Sequence, residues 1–352
     1  MKMKNTLLIL LILSGLPSVL LSQQPDTSKQ ALKDSQLANK LYNESLACFM
    51  DKKYPEAVSM VTKAIALNPQ FVNGYYNRAC YRLQMNLHED AISDLTRVIE
   101  LQPGGQGYKA RGYVYLLKKE HERAIGDLSV AVINDPESAE AWYYRACAYM
   151  LQEKNSQALA DFDKVIELRP DFAIAYNDRG TLKMKMNELQ SAKSDFTKAV
   201  TFDPGYAAAF NNLGRIAELS KEYEPALENF TAALKIRPDY YSSFNDRGRV
   251  KHAMEDFGGA IEDFTKALTI NPGYAFAYNN RGNSKYMSGD LVGAINDFTQ
   301  AIGIDPKYGE AYLNRGIVKE MLRDMKGACT DWKKASELGV AAAENYVNNQ
   351  CQ

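Results

Sequence analysis

Eight prolines, at positions 69, 103, 136, 170, 204, 238, 272 and 306, follow one another at intervals of 34, 33, 34, 34, 34, 34 and 34 residues. Most are preceded by an aliphatic and a polar residue, as in LNP, LQP, LRP, IRP, INP and IDP. A length of 352 residues would by itself suggest two or three domains. A fixed period of this size instead marks an array of helical modules, each too small to bury its apolar face alone.

The inside of one module shows how it is built. Tyr278, Arg281, Gly282 and Lys285 share one helical stripe, and Ser288, Gly289 and Asp290 break the pattern. Leu291, Ala294, Ile295, Phe298, Ala301 and Ile302 then form a second stripe at three and four residue steps. Each module is therefore two helices and a turn, and the proline ends the second helix. Twelve residues before each proline stands an alanine: Ala57, Ala91, Ala124, Ala158, Ala192, Ala226, Ala260 and Ala294, with the register continuing to Ala328. Twelve residues before each alanine stands a small residue: Ser45, Ala79, Gly112, Ala146, Gly180, Gly214, Gly248, Gly282 and Gly316. Small residues facing each other let two helix backbones approach, with Phe264, Phe298 or Trp332 filling the space beside them. That makes nine modules.

In these spacings the chain resembles the tetratricopeptide repeat (TPR) family over residues 38–339. The resemblance implies an all-α fold, a right-handed α-solenoid of about nine TPR helix-turn-helix units with a C-terminal capping helix. The expected units are 38–71, 72–104, 105–138, 139–172, 173–206, 207–240, 241–274, 275–308 and 309–339, followed by the cap and tail at 340–352. The first repeat departs from the pattern with Glu44 and Ser45 where others carry Arg and Gly, and the ninth has Val340 in place of proline. Atypical end repeats suit capping, with Val340, Ala343 and Val347 packed inward.

An arginine and an aspartate recur sixteen residues apart: Arg78 with Asp94, Arg111 with Asp127, Arg145 with Asp161, Arg179 with Asp195, Arg247 with Asp263, Arg281 with Asp297 and Arg315 with Asp331. The sixth repeat has Leu213 and Asn229 instead, and the first has Glu44 and Met60. No repeat keeps one member alone. An ion near a helix interface without its partner costs about 3–5 kcal/mol, whereas losing both is cheap, so the pairs read as structural. They join the two helices of a repeat or reach the neighbouring one. Lys183, Lys251, Lys285 and Lys319, which recur four residues after the arginines, are expected to lay their stems on the neighbouring helix.

With those positions assigned, recognition falls to the opposite stripe of each first helix, represented in the eighth repeat by Phe276, Asn279, Asn280, Asn283 and Met287. In proteins resembling this one that stripe lines the concave side and binds extended peptides. Early repeats offer rings there, Tyr42, Tyr76, Tyr113, Tyr143 and Tyr144. Later repeats offer amides and charge: Asn177, Asp178, Asn211, Asn212, Arg215, Asn245, Asp246, Arg249, Asn279, Asn280, Asn283 and Asn314. A carboxamide both donates and accepts, so a column of asparagines can hold a peptide main chain without reading its sequence. The competing reading is that these amides meet only water.

No catalytic or metal site is expected. His88, His121 and His252 lie in different repeats without a ligand cluster, and no phosphate loop or nucleophile elbow appears. No cofactor is expected either. The functional expectation is a non-enzymatic scaffold for a protein or extended peptide client, acting as a monomer. The alternative is a self-assembling structural protein of the cell envelope.

The leader MKMKNTLLILLILSGLPSVLLSQQ has two lysines, an apolar core and Ser22 ahead of a polar stretch. It reads as a signal peptide at residues 1–22, followed by a polar linker at 23–37, and it implies export to the periplasm or outside the cell. A signal anchor is the alternative, but Gly15 and Pro17 break the apolar run. Contact with the membrane is expected only during export. Removing residues 1–22 takes away Lys2, Lys4 and no acid, moving the formal charge from -1 to -3, which does not suit nucleic acid. Export permits one disulfide among five cysteines. Cys329 and Cys351 are the candidates, with a buried thiol and a tail thiol as the favoured alternative, while Cys80 and Cys147 lie two repeats apart. The glycosylation-like matches at Asn43 and Asn229 are taken as chance, with Asn229 expected in the core.

Overall fold

The computed structural model describes residues 29–351. The expected leader lies outside the described residues. Among these residues there are nineteen α-helices and no strand. Nine antiparallel pairs follow in order: α1 (Lys29–Met50) with α2 (Tyr54–Leu67), α3 (Val72–Gln84) with α4 (His88–Leu101), and α5 (Gly105–Leu117) with α6 (His121–Asn134). Next come α7 (Ala139–Leu151) with α8 (Asn155–Leu168), α9 (Ala173–Lys185) with α10 (Leu189–Phe202), and α11 (Ala207–Leu219) with α12 (Tyr223–Ile236). The series ends with α13 (Tyr241–Ala253) and α14 (Phe257–Ile270), α15 (Ala275–Met287) and α16 (Leu291–Ile304), and α17 (Gly309–Met321) and α18 (Met325–Glu337), closed by α19 (Ala341–Gln350). The chain divides into an amino-terminal body ending at Ala175 and a carboxyl-terminal body beginning at Tyr176.

The stretch expected as a polar linker up to residue 37 is helical from Lys29 onward. Its residues, KQALKDSQL, hold good helix formers and neither glycine nor proline, so nothing stops α1 from extending ahead of the first repeat.

Each pair closes on the small residue of its first helix. A Cβ placed on Gly282 would come within 2.7 Å of the Phe298 ring, and one on Gly214 within 2.7 Å of Phe230. Phe162, Phe196, Phe230, Phe264, Phe298 and Trp332 are fully buried in these seams, beside alanines with no exposed surface. In the sixth repeat Leu213, in the arginine position, packs with Met184 against Ala192, Phe196 and Ile216.

The turn inside every pair uses one residue in the left-handed region: Lys52, Asn86, Lys119, Glu153, Asn187, Lys221, Glu255, Gly289 and Arg323. The next N–H then bonds five residues back, as in Leu87 to the Arg82 carbonyl and Asp290 to the Lys285 carbonyl. This satisfies carbonyls that the helix end would leave free.

At the carboxyl end α19 covers Trp332, with Tyr346 stacked on its ring at 4.7 Å. Cys329 and Cys351 form a disulfide that ties the end of α19 to α18. Cys80 and Cys147 are buried free thiols. Asn229 is half-buried rather than in the core, because its side chain folds back to donate to the Pro225 carbonyl.

Candidate functional site

The seven arginine and aspartate pairs come together with one geometry. Nε and Nη2 of Arg78, Arg111, Arg145, Arg179, Arg247, Arg281 and Arg315 donate to both oxygens of Asp94, Asp127, Asp161, Asp195, Asp263, Asp297 and Asp331 at 2.5–3.0 Å. In six of them the remaining Nη1 donates to a hydroxyl of the preceding repeat: Thr62, Thr96, Ser129, Thr231, Thr265 or Thr299. One guanidinium thus joins its own two helices and the helix before them. Each of the three nitrogens of these forks donates to a fixed acceptor within the array.

A second cation completes the arrangement in most repeats. Arg82, Lys183, Lys251, Lys285 and Lys319 bond to the same carboxylates at 2.5–2.9 Å. The four lysines therefore do more than lay their stems on a neighbour: their ammonium groups turn inward to a buried acid. Repeats three and four carry Tyr115 and Tyr149 at this place. The effect shows in the carboxyls. Burial pushes the Asp161 carboxyl above the ordinary range, and Arg145 alone does not reverse it. Burial acts on Asp263 too, but Arg247 and Lys251 together bring it below that range.

The opposite stripe divides into buried and reachable residues. Tyr76 and Tyr143, expected as exposed anchors, are 4% and 1% accessible. Tyr143 is consumed by an edge contact with Phe172 at 5.4 Å and a tilted one with Phe162 at 6.1 Å. Asn177, Asn211, Asn245 and Asn279 are also buried. They form the floor beneath the next asparagine rather than a peptide contact. Asn212 Nδ2 donates to Asn177 Oδ1, Asn280 Nδ2 to Asn245 Oδ1, and Asn314 Nδ2 to Asn279 Oδ1, each at 3.0 Å. Asn177 and Asn245 donate in turn to Asp178 and Asp246 at 3.1 and 3.3 Å. Asn211 differs, since the following repeat offers it Asp246 rather than an asparagine, and its Oδ1 has no donor.

What faces outward in the carboxyl-terminal body is half-buried Asn212, Asn280, Asn283, Asn314, Asp178 and Asp246, with Arg215 and Arg249 exposed. Arg249 forms a bidentate pair with Glu218. Arg215 has no ion pair among the described residues and is the unspent donor of the stripe. Burial raises the Asp246 carboxyl against the pull of Arg249 and Arg215, and it raises Glu218 against Arg249. Asn283 and Asn280 line a cleft of about 70 Å³ with Arg249, His252 and Phe264. His252 Nδ1 lies 2.8 Å from Ser284 Oγ, but that hydroxyl is fully buried and donates to the Asn280 carbonyl, so it has no path to a substrate. No group of three or more metal-ligating side chains occurs among the described residues. No described helix is long and apolar enough to cross a membrane.

Sequence reasoning missed a run of rings beside this stripe. Tyr241 meets Tyr274 at 5.1 Å, Tyr274 meets Phe276 at 6.0 Å, and Phe276 meets Tyr308 at 5.1 Å. Phe276 is 56% exposed. Burial, with Glu310 nearby, pushes the Tyr308 hydroxyl up to about 12. The available signal was the aromatic immediately before the first helix in four successive repeats: Tyr206, Tyr240, Tyr274 and Tyr308.

Models of the tetratricopeptide repeat match residues 76–139, 139–172, 177–241 and 241–274, together more than half of the chain. The Hsp70–Hsp90 organizing protein 3 of Arabidopsis thaliana is 27% identical over 116 residues, which are 33% of this chain and 21% of that one. The Hsp70–Hsp90 organizing protein of Triticum aestivum is 28% identical over 116 residues, 33% of this chain and 20% of its own. The chain thus spans about a fifth of the length of these curated relatives. Among solved structures, the Cut9–Hcn1 hetero-tetramer of the APC/C superposes with a TM-score of 0.58 at 16% identity, covering 82% of this chain and 56% of that one. A tetratricopeptide repeat protein of Parabacteroides merdae superposes with a TM-score of 0.53 at 17% identity, covering 72% and 97%. The chain belongs to the tetratricopeptide repeat family.

Proposed function

We propose that the chain is an exported, non-enzymatic scaffold that holds an extended stretch of a client protein along the amide stripe of its carboxyl-terminal body. The observation that carries this reading is the bond from each outer asparagine back to the buried asparagine of the repeat before it. That bond uses one N–H and fixes the rotamer, leaving the Oδ1 of Asn212, Asn280 and Asn314 and a second N–H to face outward. A client strand then meets donors and acceptors that are already oriented, so less side-chain entropy is lost on binding. Arg215, without an acid of its own, supplies a charged donor, and exposed Phe276 supplies an apolar edge. The curated relatives are named for organising Hsp70 and Hsp90, which agrees with a scaffold role. Export rests on the leader sequence.

The test is selection from a library of unstructured peptides on the full chain, followed by titration of the selected peptides against Asn280→Ala combined with Arg215→Ala. The expected result is affinity about ten-fold weaker or more, of the order of 1.4 kcal/mol, with the helical fold retained by circular dichroism. Undiminished affinity would place the client elsewhere. Light scattering of the mature chain is expected to report a monomer.

A further inference from the structure

At two joints between repeats, the aromatic ring just before a first helix is covered by an arginine three residues earlier. Arg169 lies over Phe172 with its guanidinium carbon 4.4 Å from the ring centre, and its Nη1 donates to Glu140 at 3.2 Å. Arg237 lies over Tyr240 at 3.1 Å. Each of these arginines is the residue that ends the second helix of its repeat. Tyr308 holds the place of Phe172 and Tyr240, but the helix before it ends on Asp305. Glu310 holds the place of Glu140, second in a first helix, but where Arg169 stands 29 residues beyond Glu140 the chain has Gly339 beyond Glu310. The ring and the acid are both kept, and both arginines are gone.

A second ring joins Tyr308 here. Phe276 stands 5.1 Å away with the two planes inclined at 59°, so the pair opens as a corner, and Phe276 is 56% exposed. The Tyr308 hydroxyl is engaged by Asn279, which leaves the ring rather than the hydroxyl for a ligand. No described cation lies over either ring, and neither Glu310 nor Asp305 has an ion pair among the described residues. Asp305 spends one oxygen on the Lys307 N–H at 3.0 Å. The charged side chains acting most strongly on Tyr308 are Glu310 and Asp305, both acids, whereas Tyr274, further along the run, also feels Arg249 and Arg215. A ring face attracts a cation, and a nearby carboxylate adds to the pull. A third acid is repelled by the two already there. We infer that the corner of Phe276 and Tyr308, beside Glu310, binds a basic side chain of the client polypeptide, arginine above all, supplying in trans the guanidinium that Arg169 and Arg237 supply in cis. Phe276 shares a helix face with Asn280 and Asn283, so the site continues the amide stripe, and the identity of its partner as the client rests on the function proposed above.

The experiment follows the aromatic resonances of Phe276 and Tyr308 in the full chain while N-acetylargininamide is added, with N-acetylcitrullinamide, which carries a neutral urea in place of the guanidinium, as the matched control. The arginine probe is expected to bind about three-fold tighter or more, and its advantage to shrink as salt is raised. Equal responses to the two probes in the native chain overturn the inference, and that comparison stands without any variant. Glu310→Gln, at an exposed position, is expected to weaken the arginine probe about two-fold with the helical fold retained by circular dichroism. Asp305→Arg restores the arginine from within, at a helix end whose φ of -127° lies close to the -137° of Arg169 and the -130° of Arg237. In the folded variant the preference for arginine over citrulline is expected to vanish; an unchanged preference overturns the inference. The two probes share their amide groups, so their difference is blind to the stripe. Selected peptides that bind the stripe, without any preference between the probes, therefore count against this site alone, and a preference between the probes without any selected peptide counts against the stripe alone.

Discussion

The two classes of aspartate set different costs for losing an arginine. Removing Arg145 leaves Asp161 buried with no second cation in bonding range, whereas removing Arg247 leaves Asp263 still bonded to Lys251. Arg145→Leu is therefore expected to destabilise by about 3–5 kcal/mol, and Arg247→Leu by the smaller amount, roughly 1–3 kcal/mol, typical of one lost partner. Adding Asp161→Asn to Arg145→Leu should recover much of the loss, as read by denaturant titration. Equal costs for the two single variants would show that the second cation contributes nothing. The carboxyls should also titrate on opposite sides of their common unfolded value. The Asp161 carboxyl is raised, so the folded chain holds its proton longer than the unfolded chain, and stability from this group declines as pH rises toward its folded pKa. The Asp263 carboxyl is lowered, so its contribution is complete above the unfolded value and is lost as pH falls through the folded one. Carbon-13 titration of the two side chains measures both directions.

Helical pairs were legible because their apolar residues recur at steps of three and four, and their turns because the pattern breaks. The conformation of the turn residue was legible at Gly289 and in part at Asn86 and Asn187, since asparagine tolerates a left-handed backbone, whereas lysine, glutamate and arginine at the equivalent places carry no mark of one. Each lysine, glutamate or arginine there stores a penalty of about 1 kcal/mol or more. Lys221→Gly and Glu255→Gly are thus expected to raise stability by about 1 kcal/mol, less what glycine adds to the entropy of the unfolded chain. Gly289→Ala should lower it by a similar amount, because a Cβ there meets no atom within 4 Å and only the backbone resists. Thermal unfolding reads all three. The outer stripe of the first helices was legible only in part. Asn177, Asn245 and Asn279 look solvent-facing within one repeat, yet an asparagine of the next repeat covers them. Burial of that kind depends on neighbours that a single module does not reveal. The aspartate partners were easier, since a buried charge leaves its trace in which residues occur together.

At the scale of the whole chain, contacts within each body run from one pair to the next, so stability there behaves as a sum of local terms and adjacent couplings. The Cys329–Cys351 bond closes 22 residues around α18 and α19, a loop worth about 3 kcal/mol in the chain-entropy account. Reduction, or Cys351→Ser, should loosen the last repeat first. Hydrogen exchange is expected to quicken in α17, α18 and α19 while α13 and α14 keep their protection; uniform loss along the carboxyl-terminal body would mean that the repeats open together. The bond from each guanidinium to a preceding hydroxyl bears on how such chains change length. Arg281 reaches Thr265, and Arg247 reaches Thr231, at the same register. Excising residues 241–274 would bring Arg281 to Thr231, where an identical acceptor already waits. A gene encoding this protein can drop the seventh or the eighth module by in-frame excision, because either splice regenerates the fastening it interrupts.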